Sequence, residues 1–152
     1  YGHSLRHELL SRRDEIKRDT TFHHTYGDRH NIEDARMGKI DVFSPSQFGV
    51  AIENTQHRGY FTEKILDLFL LKSVPIYWGC TNIGYFFNTD GIIIVNSVDD
   101  IIHAINVLDK NSYDIVFKKA VEENYQTAKK YVDYEQNIVD YITKVFTENG
   151  IL

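Results

Sequence analysis

The chain has 152 residues, 42% hydrophobic and 26% charged, with a formal net charge of −5. That is the length of about one domain and can bury roughly two-thirds of its unfolded surface. The acidic balance argues against nucleic acid as a partner, and no apolar run approaches the ~18 residues of a membrane span. No stretch reads as a signal peptide, so no membrane contact is expected in this segment. Cys80 is the single cysteine, which excludes an internal disulfide. There is no Asn-x-Ser/Thr sequon. These absences suit a cytosolic domain and equally a soluble piece of a membrane-anchored parent. The start at Tyr1-Gly2-His3, with neither Met nor strand, reads as the start of a fragment.

The charge is uneven. Residues 1–72 hold eleven Lys+Arg against eleven acids, whereas the rest holds six Lys against eleven acids. All seven arginines lie between Arg6 and Arg58. An anionic ligand is therefore better accommodated by the first half.

In chain order, Ser4 is placed to cap a helix through about Lys17, with Leu5, Leu9, Leu10 and Ile16 inward. Thr20 to Thr25 reads as a short strand. Tyr26 to Pro45, rich in Gly, Asp, Asn and Arg, reads as a long loop. Phe48 to Ile52 is a buried strand. Thr62 caps a helix through Lys72, with Ile65, Leu66, Phe69 and Leu70 on its core face. Val74 to Trp78 is a second strand and Asn82 to Phe87 a short helix. Gly91 to Val95 is a third strand, and Ser97 with Asp99 and Asp100 opens a helix to about Leu108. A helix from Ser112 to Asn124 follows, then a last one from about Tyr125 or Glu135 to Phe146. Strands alternating with helices, each strand a continuous apolar run, predict a parallel Rossmann-like α/β sheet with helices on both faces. A nucleotide-binding half of this kind usually opens with a strand, so the first strand is expected upstream of Tyr1.

In such sheets, ligands sit outside the carboxyl ends of the strands beside helix N-termini. The run Ala51 to Asp67 puts Glu53, Asn54, Gln56, His57, Arg58 and Gly59 there, just before a helix opening with Thr62, Glu63 and Lys64. Glu63 is explained by the helix dipole alone. Lys64 opposes it, and a phosphate contact would account for its place as well as simple solvation would. Arg6, in the first turn of the opening helix, is a second cation at the same kind of junction, able to clamp a diphosphate by bidentate bonding. Tyr60 can stack on a base, bond a sugar or pack in the core. Asn54 can serve as a turn former, and a buried Glu53 needs a partner or a function. His3 and His7 share the i, i+4 spacing of metal ligands but have no third ligand in view. Asp99-Asp100 is read as helix N-terminal charge. No Gly-x-Gly-x-x-Gly, Walker loop, Gly-x-Ser-x-Gly or Cys-x-x-Cys occurs, leaving dehydrogenase, ATPase, hydrolase and redox readings without support.

The run IENTQHRGYFTEKILD at Ile52 to Asp67, followed by VPIYWGC at Val74 to Cys80, resembles the signature of family 10 glycosyltransferases, the α1,3/α1,4-fucosyltransferases. Their pattern is an apolar strand ending in Glu-Asn, a short loop, Tyr-x-Thr-Glu-Lys, then Val/Ile-Pro-Ile/Val-Tyr-x-Gly. The match is dense over Phe48 to Gly79. Arg6, Tyr26-Gly27 and Asp90-Gly91 agree more loosely. The resemblance implies a GT-B architecture, of which residues 1–152 would form the C-terminal, donor-binding half. It implies GDP-fucose as donor, an acceptor glycan as partner, and inverting transfer. By position, Arg6 and Lys64 would hold the diphosphate. Glu63 would contact the fucose and stabilise charge at its anomeric carbon. Tyr60 and Asn54 would contact nucleotide or sugar, and Glu53 would shape the site. No cofactor is required beyond the donor substrate, and a divalent metal is not indicated. The family's general base belongs to the N-terminal acceptor domain, so this segment alone is expected not to transfer sugar. The location would be cytoplasmic in a bacterial or viral source and the Golgi lumen in a eukaryotic one. Another GT-B enzyme of exostosin-like type, or a non-catalytic nucleotide-sugar or glycan-binding module, are the alternatives. The intact Tyr-Phe-Thr-Glu-Lys and Tyr-Trp-Gly count against the first.

Overall fold

The computed structural model describes residues 1–18 and 46–132, with Thr143 and Thr147 beyond them. The strand expected at Thr20 to Thr25, the loop from Tyr26 to Pro45 and, Thr143 aside, the part of the last helix from Glu135 to Phe146 lie outside the described residues. Helix α1 is Gly2–Ser11, followed by a 3-10 turn at Arg13–Glu15. Strand β1 is Phe48–Ile52, helix α2 Glu63–Leu70 and strand β2 Val74–Trp78. Short 3-10 turns at Ile83–Tyr85 and Thr89–Gly91 lead to β3, Ile93–Ile94, and then to helix α3, Val98–Val107. A helical turn, Lys110–Ser112, passes through a π-helical turn, Tyr113–Phe117, into α4, Lys118–Val132.

The three strands form a parallel sheet in the order β1-β2-β3. Phe48 pairs with Val74 and Ile52 with Trp78, while Ile76 pairs with Ile93. β2 is buried at every position, as a central parallel strand covered on both faces must be. Side chains alternate between two cores. Ile52, Ile76 and Trp78 meet Leu9 of α1 and Val98, Ile101 and Ile102 of α3. Ala51 and Tyr77 meet Ile65, Leu68 and Phe69 of α2 and Ala128 of α4. Helices thus cover both faces, as the apolar runs predict.

Several boundaries differ from expectation. α1 starts at Gly2, ahead of Ser4, because its first turn is docked on the end of β1. The Gly2 N–H donates to the Asn54 carbonyl at 3.2 Å, and a Cβ at Gly2 would overlap the Glu53 carbonyl oxygen. α2 stops at Leu70, and Lys72 turns the chain in the left-handed region with φ 55°. Its core face includes Leu68, and Leu66 and Leu70 are half-buried at the margin. The helix expected from Asn82 is a single 3-10 turn. β3 is shorter than Gly91 to Val95, because Asn88 caps a 3-10 turn that takes Gly91 onto Ala120 and Asn124. No break occurs at Tyr125. Asn124 is turned inward within α4, accepting from the Asn88 N–H at 2.8 Å and donating to its carbonyl at 2.9 Å.

α3 begins as its sequence predicts. Ser97 accepts from the Asp100 N–H, and the Asp100 carboxylate accepts from the N–H groups of Asn96 and Ser97 at 2.9 and 3.1 Å. Those bonds, the Asn96 one foremost, hold the Asp100 carboxyl below its ordinary range. An acid whose pKa is lowered by folding adds stability above its unfolded value, about 3.9, and loses it as pH falls through the native value. Asp100→Asn is therefore expected to lower Tm at pH 7 and to flatten the fall in Tm below about pH 4. Thermal melts of both proteins across pH 2 to 7 check this, and equal acid slopes would refute it.

Candidate active site

The carboxyl end of β1 gathers the functional residues. β1 delivers Glu53, whose N–H continues the sheet by bonding to the Trp78 carbonyl at 2.9 Å. The Glu53 side chain is completely buried. Its Oε1 accepts from the Thr62 N–H at 2.9 Å and its Oε2 from the Thr62 hydroxyl at 2.7 Å. A buried carboxylate without such partners would cost several kcal/mol, so the strand end and the start of α2 are tied together by necessity. Thr62 is in turn the N-cap of α2, its hydroxyl oxygen accepting from the Lys64 N–H at 3.4 Å.

Lys64 lies over this junction. Its Nζ donates to the Thr62 hydroxyl at 3.1 Å and to Glu63 Oε1 at 3.4 Å, and stands 3.6 Å from Glu53 Oε2. Glu63, the first residue of α2, keeps 60% of its side chain exposed, whereas Lys64 keeps 26%. The cation that the helix dipole disfavours is thus held by a hydroxyl and two carboxylates. On the other side of β1, the Arg6 guanidinium donates to the Ile52 carbonyl at 2.9 Å and to Asn54 Oδ1 at 2.9 Å. Arg6 is half-buried and Asn54 exposed. The structure therefore brings Glu53, Glu63 and Lys64 together around Thr62, and joins Arg6 to Asn54, with both groups at one strand end. Tyr60 stands half-buried on the intervening loop, its N–H on the His57 carbonyl at 3.3 Å. His3 and His7 are both exposed on α1.

The loop from Asn54 to Phe61 is pinned at two points. Asn82 Oδ1 accepts from the Gly59 N–H at 2.7 Å. Phe61 packs edge-on or tilted against Phe86, Phe87 and Tyr131, with centroids 5.0 to 5.4 Å apart. At its rim the Arg58 guanidinium stacks over Tyr85 at 5.7 Å. Below, the Tyr77 hydroxyl accepts from the Cys80 N–H at 2.9 Å, and burial pushes the Tyr77 phenol up. Gly79 fits against both Glu53 and Tyr77. Sequence reasoning treats Thr62 as a cap only and misses Asn82, Phe61 and Tyr77 as supports. The Thr62 role has a signal in the sequence, since a strand-terminal Glu needs a donor, and the nearest helix start supplies one. The Asn82 contact spans 23 positions and has no local signal.

An acid and a base side by side at a helix start, with an arginine one strand-face away, can hold an anion and stabilise a neighbouring positive charge. A family model described as glycosyltransferase family 10 (fucosyltransferase) C-term matches residues 13–117. The chain belongs to glycosyltransferase family 10. An alpha-(1,3)-fucosyltransferase of Helicobacter pylori is 34% identical over 80 residues, covering 49% of this chain and 17% of the relative. A putative fucosyltransferase of Acanthamoeba polyphaga mimivirus is 32% identical over 118 residues, covering 74% of this chain and 19% of the relative. The bovine 4-galactosyl-N-acetylglucosaminide 3-alpha-L-fucosyltransferase 9 is 31% identical over 94 residues, covering 59% and 26%. The chain thus spans between about a sixth and a quarter of the length of these relatives. No solved structure matches it. No helix among the described residues is long and apolar enough to cross a membrane.

Proposed function

We propose that this chain is the donor-binding half of a fucosyltransferase, taking GDP-fucose and passing fucose with inversion to an acceptor glycan. The observation that carries the reading is the Thr62–Glu63–Lys64 helix start, with Lys64 Nζ within hydrogen-bond reach of Glu63 Oε1 at the carboxyl end of a parallel strand. Transfer from a nucleotide sugar needs two opposite electrostatic services. The departing diphosphate requires cations and N–H donors, which Lys64, Arg6 and the first turn of α2 supply. The anomeric carbon, becoming oxocarbenium-like, requires a nearby carboxylate, which Glu63 supplies. Asn54 and Tyr60, on the loop between them, contact nucleotide or sugar. The acceptor hydroxyl must also lose a proton, and we assign that base to an acceptor-binding domain joined to this one.

Isothermal calorimetry tests the reading. GDP and GDP-fucose are expected to bind, UDP to bind much more weakly, and Lys64→Ala to cost about 1.5–3 kcal/mol, the scale of a hydrogen bond to a charged group. Binding that does not distinguish GDP from UDP, or GDP from buffer, would overturn it.

A further inference from the structure

Glu53 cannot touch a ligand from where it lies, yet it is the one fully buried acid among the described residues. Both its oxygens accept from Thr62, and Oε2 also stands 3.6 Å from Lys64 Nζ. A threonine hydroxyl has one proton and two lone pairs. Glu53 Oε2, an acceptor only, takes that proton at 2.7 Å, so the lone pairs of Thr62 Oγ1 face the Lys64 side. There they receive the Lys64 N–H at 3.4 Å and Nζ at 3.1 Å. The order of donors and acceptors is therefore fixed from the core outwards, Glu53 to Thr62 to Lys64. Glu53 is itself held by the sheet through its N–H and walled in by Gly79.

We propose that Glu53 is a positioning residue, which sets the polarity of the Thr62 hydroxyl and thereby holds the Lys64 ammonium ready for a ligand phosphate. The proposal rests on the nucleotide-diphosphate reading above and adds to it a buried residue that acts only through Lys64. Glu53→Gln keeps the volume and an acceptor for the Thr62 N–H. It replaces the second oxygen by an NH2 donor, which takes a Thr62 lone pair and turns the hydroxyl proton toward Lys64. If Glu53 did no more than repel the bound anion, the reverse would follow, since removing a negative charge beside an anion site should tighten anion binding. The two accounts differ in sign.

The test is a double-mutant cycle read by calorimetry with GDP, on protein shown by thermal melt to be folded. Glu53→Gln is expected to weaken GDP about tenfold or more, and Lys64→Ala about ten- to a hundredfold. The double variant is expected to bind no more weakly than Lys64→Ala alone. Tighter or unchanged binding in Glu53→Gln, or losses that add, would overturn the positioning role while leaving the GDP reading intact. Failure of the wild type to bind GDP would overturn both. If Glu53→Gln does not fold, Thr62→Val and Thr62→Ser carry the same cycle. Thr62→Ser keeps the hydroxyl and should stay close to wild type. Thr62→Val should lose affinity only where Lys64 is present, and a Thr62→Val that binds like wild type would refute the relay.

Discussion

Replacing Glu63 by Gln is expected to slow turnover of GDP-fucose by about 10²–10³-fold while leaving GDP affinity nearly unchanged. The split follows from what the carboxylate does under the proposed mechanism. In the ground state the donor sugar is neutral at its anomeric carbon, and the exposed Glu63 side chain gains little from it. In the transition state that carbon carries positive charge, and a fixed anion beside it is worth far more. The loss should therefore appear in kcat and in kcat/KM equally, with KM hardly moved. Lys64→Ala should behave differently, because GDP carries the full diphosphate charge and Lys64 already serves it there. Steady-state transfer of fucose in the presence of the acceptor-binding domain reads this out. A Glu63→Gln protein with wild-type turnover would remove Glu63 from the reacting centre. One that loses GDP affinity as strongly as turnover would make Glu63 a structural partner of Lys64, to which it is bonded at 3.4 Å.

Much of this arrangement is legible in the sequence, because its cues are local. Phe48–Ile52 and Val74–Trp78 are short apolar runs bounded by polar loops, and both are strands with the expected limits. Thr62 and Ser97 each precede an acidic first turn and an apolar face, and each caps its helix. The motif around Glu63 and Lys64 is dense enough to mark the family. What the sequence hides is set by contacts between distant residues. The start of α1 depends on Gly2 reaching Asn54, and the shape of the site loop on Gly59 reaching Asn82. The continuity of α4 depends on Asn124 finding Asn88. Asn124 read as a helix end, because asparagine favours turns where its amide is unsatisfied by the fold. Here the fold satisfies it. The same distinction applies to Lys64. Helix propensity leaves its place open, and the partner that answers it, Glu53 through Thr62, comes from the end of the preceding strand.

That dependence on packing gives the second large effect. Gly79→Ala is expected to destabilise the fold by roughly 3 kcal/mol, the upper end of overpacking costs. A Cβ there would lie 2.5 Å from both Glu53 Cγ and the Tyr77 hydroxyl oxygen. Neither can move away cheaply. Tyr77 is buried in the core beside Phe69 and Ile65, and its hydroxyl holds the Cys80 N–H. Glu53 is held through Thr62. Gly84 is a fair comparison, since a Cβ there would meet only Thr89 Cγ2 at 3.1 Å, on an exposed residue. Gly84→Ala should therefore cost much less. Urea unfolding of the two variants gives the difference directly, and equal midpoints would show that the Gly79 turn relaxes freely. The variant also separates packing from charge at the site. It leaves every ionisable group in place but presses on Glu53, so it should weaken GDP binding in step with its effect on the Thr62 bonds. If Gly79→Ala is destabilised yet binds GDP as wild type does, the strand-end packing supports the fold alone, and Lys64 is positioned by the start of α2 without it.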